Sequence, residues 1–150
     1  EGRLILADAL WYGQEKYHPK EIIDIATLTG AMRYVFGSQY AALYSNNDAL
    51  TQKLKKASDN TQDKIWQLPL NEAYAQMLKS PIADICNIGG NGEAGSSSAA
   101  MFIKSFIKDD TPWAHLDIAS VAWTKKNIPC HPEGPTGFGV ALLTQMILGD

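Results

Sequence analysis

Glu1-Gly2-Arg3-Leu4-Ile5-Leu6-Ala7-Asp8-Ala9-Leu10 opens the chain, an acid, a glycine and an arginine directly ahead of an almost wholly apolar run. Good helix formers continue without a proline, so the spacing predicts a helix over residues 4–15. Its apolar positions, from Leu4 to Tyr12, go all the way round, the pattern of a buried helix rather than a surface one. Glu1 and Arg3 then stand at the mouth of that helix, where free backbone N–H groups and the positive dipole end favour an anion. Taken alone, the same residues also describe a plain helix start with one favourable acid and one solvated base.

Outward from this helix, strands and helices alternate. His18-Pro19 breaks the first pattern, and residues 21–26 read as a short, mostly buried strand. Residues 27–30 form the turn at its end, followed by a short helix over 31–36 closed by Gly37. A second strand is expected over 40–45, then a helix over 49–58, capped by Asn47 or Asp48, with Leu50, Leu54 and Ala57 on one side. Residues 64–70 read as extended, and Pro69 bars a central strand position. Residues 71–79 predict a helix, 83–88 a short strand or extended segment, and 96–107 an amphipathic helix facing Ala99, Phe102, Ile103 and Phe106 inward. A strand over 114–121, a loop over 125–139 and a closing helix over 140–148 complete the order. Such alternation indicates an α/β fold, a layered sheet flanked by helices, with parallel strands expected at its centre.

Four stretches carry a family resemblance. Glu1-Gly2-Arg3-Leu4, followed by Ile5-Leu6-Ala7-Asp8-Ala9-Leu10, resembles the second half of the leucyl (cytosol) aminopeptidase signature, Asn-Thr-Asp-Ala-Glu-Gly-Arg-Leu. Asp24-Ile25-Ala26-Thr27-Leu28-Thr29-Gly30-Ala31, Ala83-Asp84-Ile85-Cys86-Asn87-Ile88-Gly89-Gly90 and Trp113-Ala114-His115-Leu116-Asp117-Ile118-Ala119 are similar to the same family in the same order. The resemblance covers nearly the whole chain. It implies that residues 1–150 are the C-terminal portion of a dinuclear-metal aminopeptidase catalytic domain with a layered mixed sheet, starting inside the signature.

For the site, the resemblance implies specific roles. A carboxylate is a hard ligand able to bridge paired metal ions, and Glu1 matches a ligand of a two-metal centre, usually zinc, with manganese or magnesium also used. The family's other ligands, a lysine and three aspartates, would lie upstream of Glu1, so the chain alone is expected to be inactive. A guanidinium offers a planar, permanently charged fork of donors, and Arg3 matches the arginine associated with a bicarbonate acting as general base. Thr27, Leu28 and Gly30 lie where α/β sheets place ligands, beyond the carboxyl end of a strand; the family holds the substrate's N-terminal residue there. Ala119 and Ala122 match part of the first-residue pocket, with Ser120 where the family often has glycine. The implied function is removal of N-terminal residues from peptides, in a cytoplasmic enzyme that self-associates as a hexamer. The alternatives are a non-catalytic oligomerisation or scaffold fragment and a nucleotide-binding domain.

That last alternative rests on Gly90-Asn91-Gly92-Glu93-Ala94-Gly95, which spells G-x-G-x-x-G, with Asp117 further on. It needs a strand before the loop and a helix around the last glycine; the loop is otherwise expected to close the rim of the site or a subunit contact. His115 and Asp117, two apart on a strand, point to one face and are expected to form a buried His–Asp pair. The net charge of −3 argues against a nucleic-acid surface. No apolar run approaches the roughly 18 residues of a membrane span. Cys86 and Cys130 make neither a CxxC pair nor a disulfide framework and suit a reducing compartment.

Overall fold

The computed structural model describes residues 1–89, 92–127 and 132–149. The opening helix, α1, runs Gly2–Tyr17. It starts earlier than the apolar run because the Glu1 carboxylate accepts the Arg3 N–H at 3.2 Å and so caps the first turn. It stops at His18, which takes a left-handed conformation (φ 47°) ahead of Pro19. There follow β1 (Ile22–Ala26), α2 (Ala31–Phe36), β2 (Ala41–Ser45), α3 (Asp48–Asp59), β3 (Ile65–Gln67), α4 (Glu72–Gln76), α5 (Gly95–Lys104), β4 (Trp113–Asp117), the two-residue ladder β5 (Trp123–Thr124) with β6 (Gly134–Pro135), and α6 (Val140–Leu148). Asn47, not Asp48, caps α3, its side chain accepting the Leu50 N–H at 2.9 Å.

The main sheet has the order β1-β4-β2-β3 and is mixed. The expectation of parallel strands at the centre is overturned: the middle pair β4–β2 is antiparallel, while β1–β4 and β2–β3 are parallel. The connection lengths explain this. Six-residue α2 spans only about 9 Å, short of the roughly 17 Å of a five-residue strand, so β2 starts at the end where β1 stops. Twelve-residue α3 spans about 18 Å and returns the chain far enough for β3 to run parallel to β2. Pro69 lies just past β3, which is an edge strand, as its position requires.

Helices cover both faces of the sheet. On one side α3 and α6 close over Ala41, Leu43, Ala114 and Leu116 with Leu50, Leu54, Ala57 and Leu142. On the other, α1, α4 and α5 enclose Trp113 with Ala7, Leu10, Leu78 and Phe102, and α2 packs beside them through Met32 on Ala42, Tyr44 and Ala100. Ala99, Phe102 and Ile103 are fully buried as the periodicity of α5 requires. Gln14 staples α1 to the end of the α5 segment, donating to the carbonyls of Leu10 (3.0 Å) and Phe106 (2.9 Å) and accepting the Lys108 N–H at 2.8 Å.

Three further expectations are corrected. First, α1 is not buried all round: Ala7, Leu10 and Gln14 are, whereas Ile5 (72% exposed) and Tyr12 (57%) face outward, because among the described residues α5 is the helix packed most closely on it. Second, residues 83–88 form bends rather than a strand. Third, β4 ends at Asp117, not 121; Ile118 turns the chain, its carbonyl accepting the N–H groups of Val121 (3.0 Å) and Ala122 (2.9 Å).

Candidate active site

The carboxyl ends of β1 and β4 lie side by side, with Ala26 in register with Asp117. The N-terminus of α1 opens at the same end of the sheet. Glu1, Gly2, Arg3, Ile5, Leu6, Ala9, Ala26, Thr27 and Leu28 line one cleft of about 480 Å³ there. Glu1 is exposed, and its carboxyl is held below the usual range chiefly by the Arg3 backbone N–H; desolvation opposes the shift, and the Arg3 guanidinium and the terminal amino group add to it. Arg3 is mostly covered. Its Nη1 donates to the Asn87 carbonyl at 2.5 Å and its guanidinium lies 5.7 Å from the centre of the Phe102 ring. Its Nε stands 3.6 Å from the Glu1 carboxylate and has no hydrogen-bond partner among the described residues. A buried N–H donor at a helix mouth, beside a positive dipole end, is suited to an anion.

The segment that supplies the Asn87 carbonyl is pinned in place. Gly89 packs so tightly on the Met77 carbonyl that a Cβ would run into it, so no other residue fits without a shift. Although α5 begins at Gly95, among the described residues no strand lies directly before the Gly90–Gly95 motif, so the fingerprint lacks the context that a nucleotide site needs. Gly90 and Asn91 lie outside the described residues, as does Cys130.

His115 and Asp117, expected to pair with each other, organise the strand ends with other partners. His115 does form a buried pair, but with Asp24 of the adjacent strand rather than Asp117. Nδ1 of His115 is 2.5 Å from Asp24 Oδ1, and Trp113 Nε1 donates to Asp24 Oδ2 at 2.6 Å. The register explains the choice, because Asp24 is directly opposite His115. Asp117, fully buried, turns instead to the loops. Its Oδ1 accepts the N–H groups of Leu28 (3.2 Å), Thr29 (3.4 Å) and Ala119 (3.2 Å), and its Oδ2 accepts the hydroxyls of Thr29 (2.6 Å) and Ser96 (3.2 Å). The signal was present in the sequence as an acid at a strand end followed by small residues, but nothing local names its partners.

The structure therefore brings Glu1, Arg3, Thr27 and Leu28 to one cleft. Gly30 stands at the start of α2, outside that lining, and Ala119 and Ala122 lie in the turn after β4. The Ala119 carbonyl accepts Arg33 Nε at 3.3 Å. Ser120 spends its hydroxyl on the Tyr40 carbonyl at 2.7 Å and is buried. Among the described residues there is no group of three or more His, Cys, Asp or Glu side chains able to hold a metal ion. One exposed carboxylate, Glu1, does not by itself make a two-metal centre, since ligand number and geometry set affinity.

Comparison with known proteins decides the family. The profile of the cytosol aminopeptidase family catalytic domain matches residues 1–144. The chain belongs to the cytosol aminopeptidase family. A probable cytosol aminopeptidase of Rickettsia felis is 53% identical over 148 residues, covering 98% of this chain and 30% of the relative. The cytosol aminopeptidase of Rickettsia prowazekii is 53% identical over the same shares, and a probable cytosol aminopeptidase of Caulobacter vibrioides 51%. Among solved structures, a mutant of tomato leucine aminopeptidase superposes with a TM-score of 0.91 at 36% identity, over 99% of this chain and 28% of that one. The chain thus spans about 30% of the length of the curated relatives it matches. The family is one of metal-dependent aminopeptidases. Among the described residues no helix is long and apolar enough to cross a membrane.

Proposed function

We propose that this chain is the C-terminal portion of the catalytic domain of a metal-dependent aminopeptidase that releases N-terminal residues from peptides. One observation supports this above the others: Glu1 and Arg3 share a single cleft with Thr27 and Leu28. In this reading Glu1 contributes one carboxylate to a pair of divalent ions, zinc or manganese and magnesium, whose other ligands come from residues outside this chain. Its lowered pKa keeps that carboxylate ionised, as a ligand must be. Arg3, with the helix N-terminus, holds an anion such as bicarbonate that accepts a proton during hydrolysis. The carbonyls of the Thr27–Gly30 turn hold the substrate's N-terminal residue by accepting from its amine N–H groups, and Ala119 and Ala122 leave room for its first side chain. A cytoplasmic, self-associated enzyme, a hexamer by family resemblance, completes the reading.

Arg3→Ala in the full-length enzyme tests it. The reading expects kcat to fall by about 10²–10⁴-fold, the range of a general base, with metal content unchanged. Added bicarbonate should raise the wild-type rate and leave the variant's unaltered. An equal bicarbonate response in both proteins, or loss of metal along with activity, would remove the anion role from Arg3. The 150-residue chain alone should hydrolyse no aminoacyl anilide.

A further inference from the structure

We propose that Asp117 is a positioning residue that aims the carbonyls of Thr27 and Leu28 at the substrate's N-terminal amino group. The inference rests on the reading of the cleft as the place where a peptide's N-terminus binds. Asp117 is fully buried at the end of β4, and its Oδ1 draws in the N–H groups of Leu28 and Thr29. A trans peptide is planar, and its N–H points opposite to the C=O of the preceding residue. Pulling the Leu28 and Thr29 N–H groups towards the buried carboxylate therefore turns the Thr27 and Leu28 carbonyls away from it. Neither carbonyl accepts a backbone hydrogen bond among the described residues, and both residues line the cleft that holds Glu1 and Arg3. Two outward carbonyls with free lone pairs make a receptor for an amine N–H donor.

The other contacts make the arrangement stiff. Oδ2 of Asp117 takes the Thr29 hydroxyl at 2.6 Å, fixing the same turn a second time, and the Ser96 hydroxyl from α5 at 3.2 Å. Oδ1 also takes the Ala119 N–H at 3.2 Å, so one carboxylate ties the loop after β1 to the loop after β4.

The test uses the full-length enzyme, with the non-hydrolysable amine leucinol and its deamino analogue 4-methylpentan-1-ol as competitive inhibitors. In Asp117→Ala the Ki of leucinol should rise by about tenfold or more, as expected when buried donors lose their acceptor and the turn relaxes. The Ki of 4-methylpentan-1-ol should stay within about twofold by the same argument. KM for an aminoacyl anilide should rise more than kcat falls, and amide exchange at Leu28 and Thr29 should quicken. Asp117→Asn should recover most of the loss, because its carbonyl can still accept the three N–H groups while its NH₂ donates to the hydroxyls. Parallel rises in both Ki values, or an unchanged leucinol Ki, would overturn the proposal. If Asp117→Ala does not fold, Thr29→Val decides. It removes only the 2.6 Å contact and should weaken leucinol alone by a few-fold; no selective weakening overturns the proposal. A wild-type enzyme that does not hydrolyse aminoacyl substrates defeats the aminopeptidase reading, and the positioning role with it. Amide exchange separates the two failures: with an active wild type, unchanged protection of Leu28 and Thr29 in Asp117→Ala defeats the positioning role alone.

Discussion

The two faces of the sheet are built from different chemistry. Under α3 and α6 the strands present Ala41, Leu43, Ala114 and Leu116, a wholly apolar surface met by Leu50, Leu54 and Leu142. Under α1, α2 and α5 the same strands present Asp24, Tyr44, His115 and Asp117, all buried, alongside Trp113. The first face stabilises without regard to geometry, since hydrophobic burial is non-directional. The second is stable only when each polar group finds its partner. The loops that form the cleft hang from the second face. The polar side of the sheet gives up apolar burial and in return fixes the strand ends.

The largest effect should follow from breaking the polar face. Asp24→Ala strips the acceptor from both His115 Nδ1 and Trp113 Nε1 in a buried setting. Leaving buried donors without their acceptor costs about 1–3 kcal/mol each, so urea unfolding of the chain should show a loss of several kcal/mol or no folded state. A loss below about 1 kcal/mol, the size of an ordinary surface change, would show that the Asp24 cluster carries no weight and would erase the contrast between faces.

On the apolar face, Leu54→Ala removes a fully buried side chain of α3 and should cost about 2–5 kcal/mol through lost transfer energy and the cavity left behind. Ile5→Ala on α1 provides the control. Ile5 is 72% exposed in this chain, so the same measurement should change by no more than about 0.5 kcal/mol. In the full-length enzyme the second variant should become costly if the outer face of α1 is covered there, and its cost should stay small if that face remains open. The chain itself should bind an apolar dye at this face and self-associate; a dye-free monomer at high concentration would count against the exposure of α1.

These same contrasts divide what could be read in the sequence from what could not. Helices α2 and α6 fall at the boundaries that Gly37 and Gly139 dictate, and α3 shows its buried side in Leu50, Leu54 and Ala57, because local periodicity and caps carry the signal. Glu1 and Arg3 were legible as site candidates through one contiguous motif and Thr27 and Leu28 through a second, and the cleft brings them together. The antiparallel centre of the sheet was not legible, because it depends on how far α2 reaches rather than on any strand's own sequence. The His115–Asp24 pair and the reach of Asp117 to Leu28, 89 positions away, depend on register between strands distant in the chain. The apolar circumference of α1 was read correctly as a pattern, but a pattern says what a helix can bury and not what is there to bury it.

The last expected effect is an alkaline one, and it separates the faces by pH alone. Burial pushes the Tyr44 hydroxyl above its usual pKa, with the nearby Asp117 charge adding to the rise and hydrogen bonds from Ser96 and Ser97 opposing it. A phenol whose folded pKa exceeds its unfolded value of about 10 keeps its proton longer in the folded state. Below about pH 10 both states are neutral and nothing is lost. As pH rises past that point the unfolded chain ionises first, so stability falls until the folded pKa is passed. Tyr44→Phe removes this titration at the expense of the 3.3 Å contact with Ser97, worth about 1 kcal/mol at neutral pH. Its stability curve should start lower than wild type and converge with it above about pH 10. Lysines titrate in the same range but are common to both proteins and cancel in the difference. Leu54→Ala, on the apolar face, should instead run parallel to wild type at every pH. Urea titrations from pH 7 to 11 on the three proteins provide the comparison. If the Tyr44→Phe curve also stays parallel to wild type, the buried hydroxyl contributes no alkaline sensitivity.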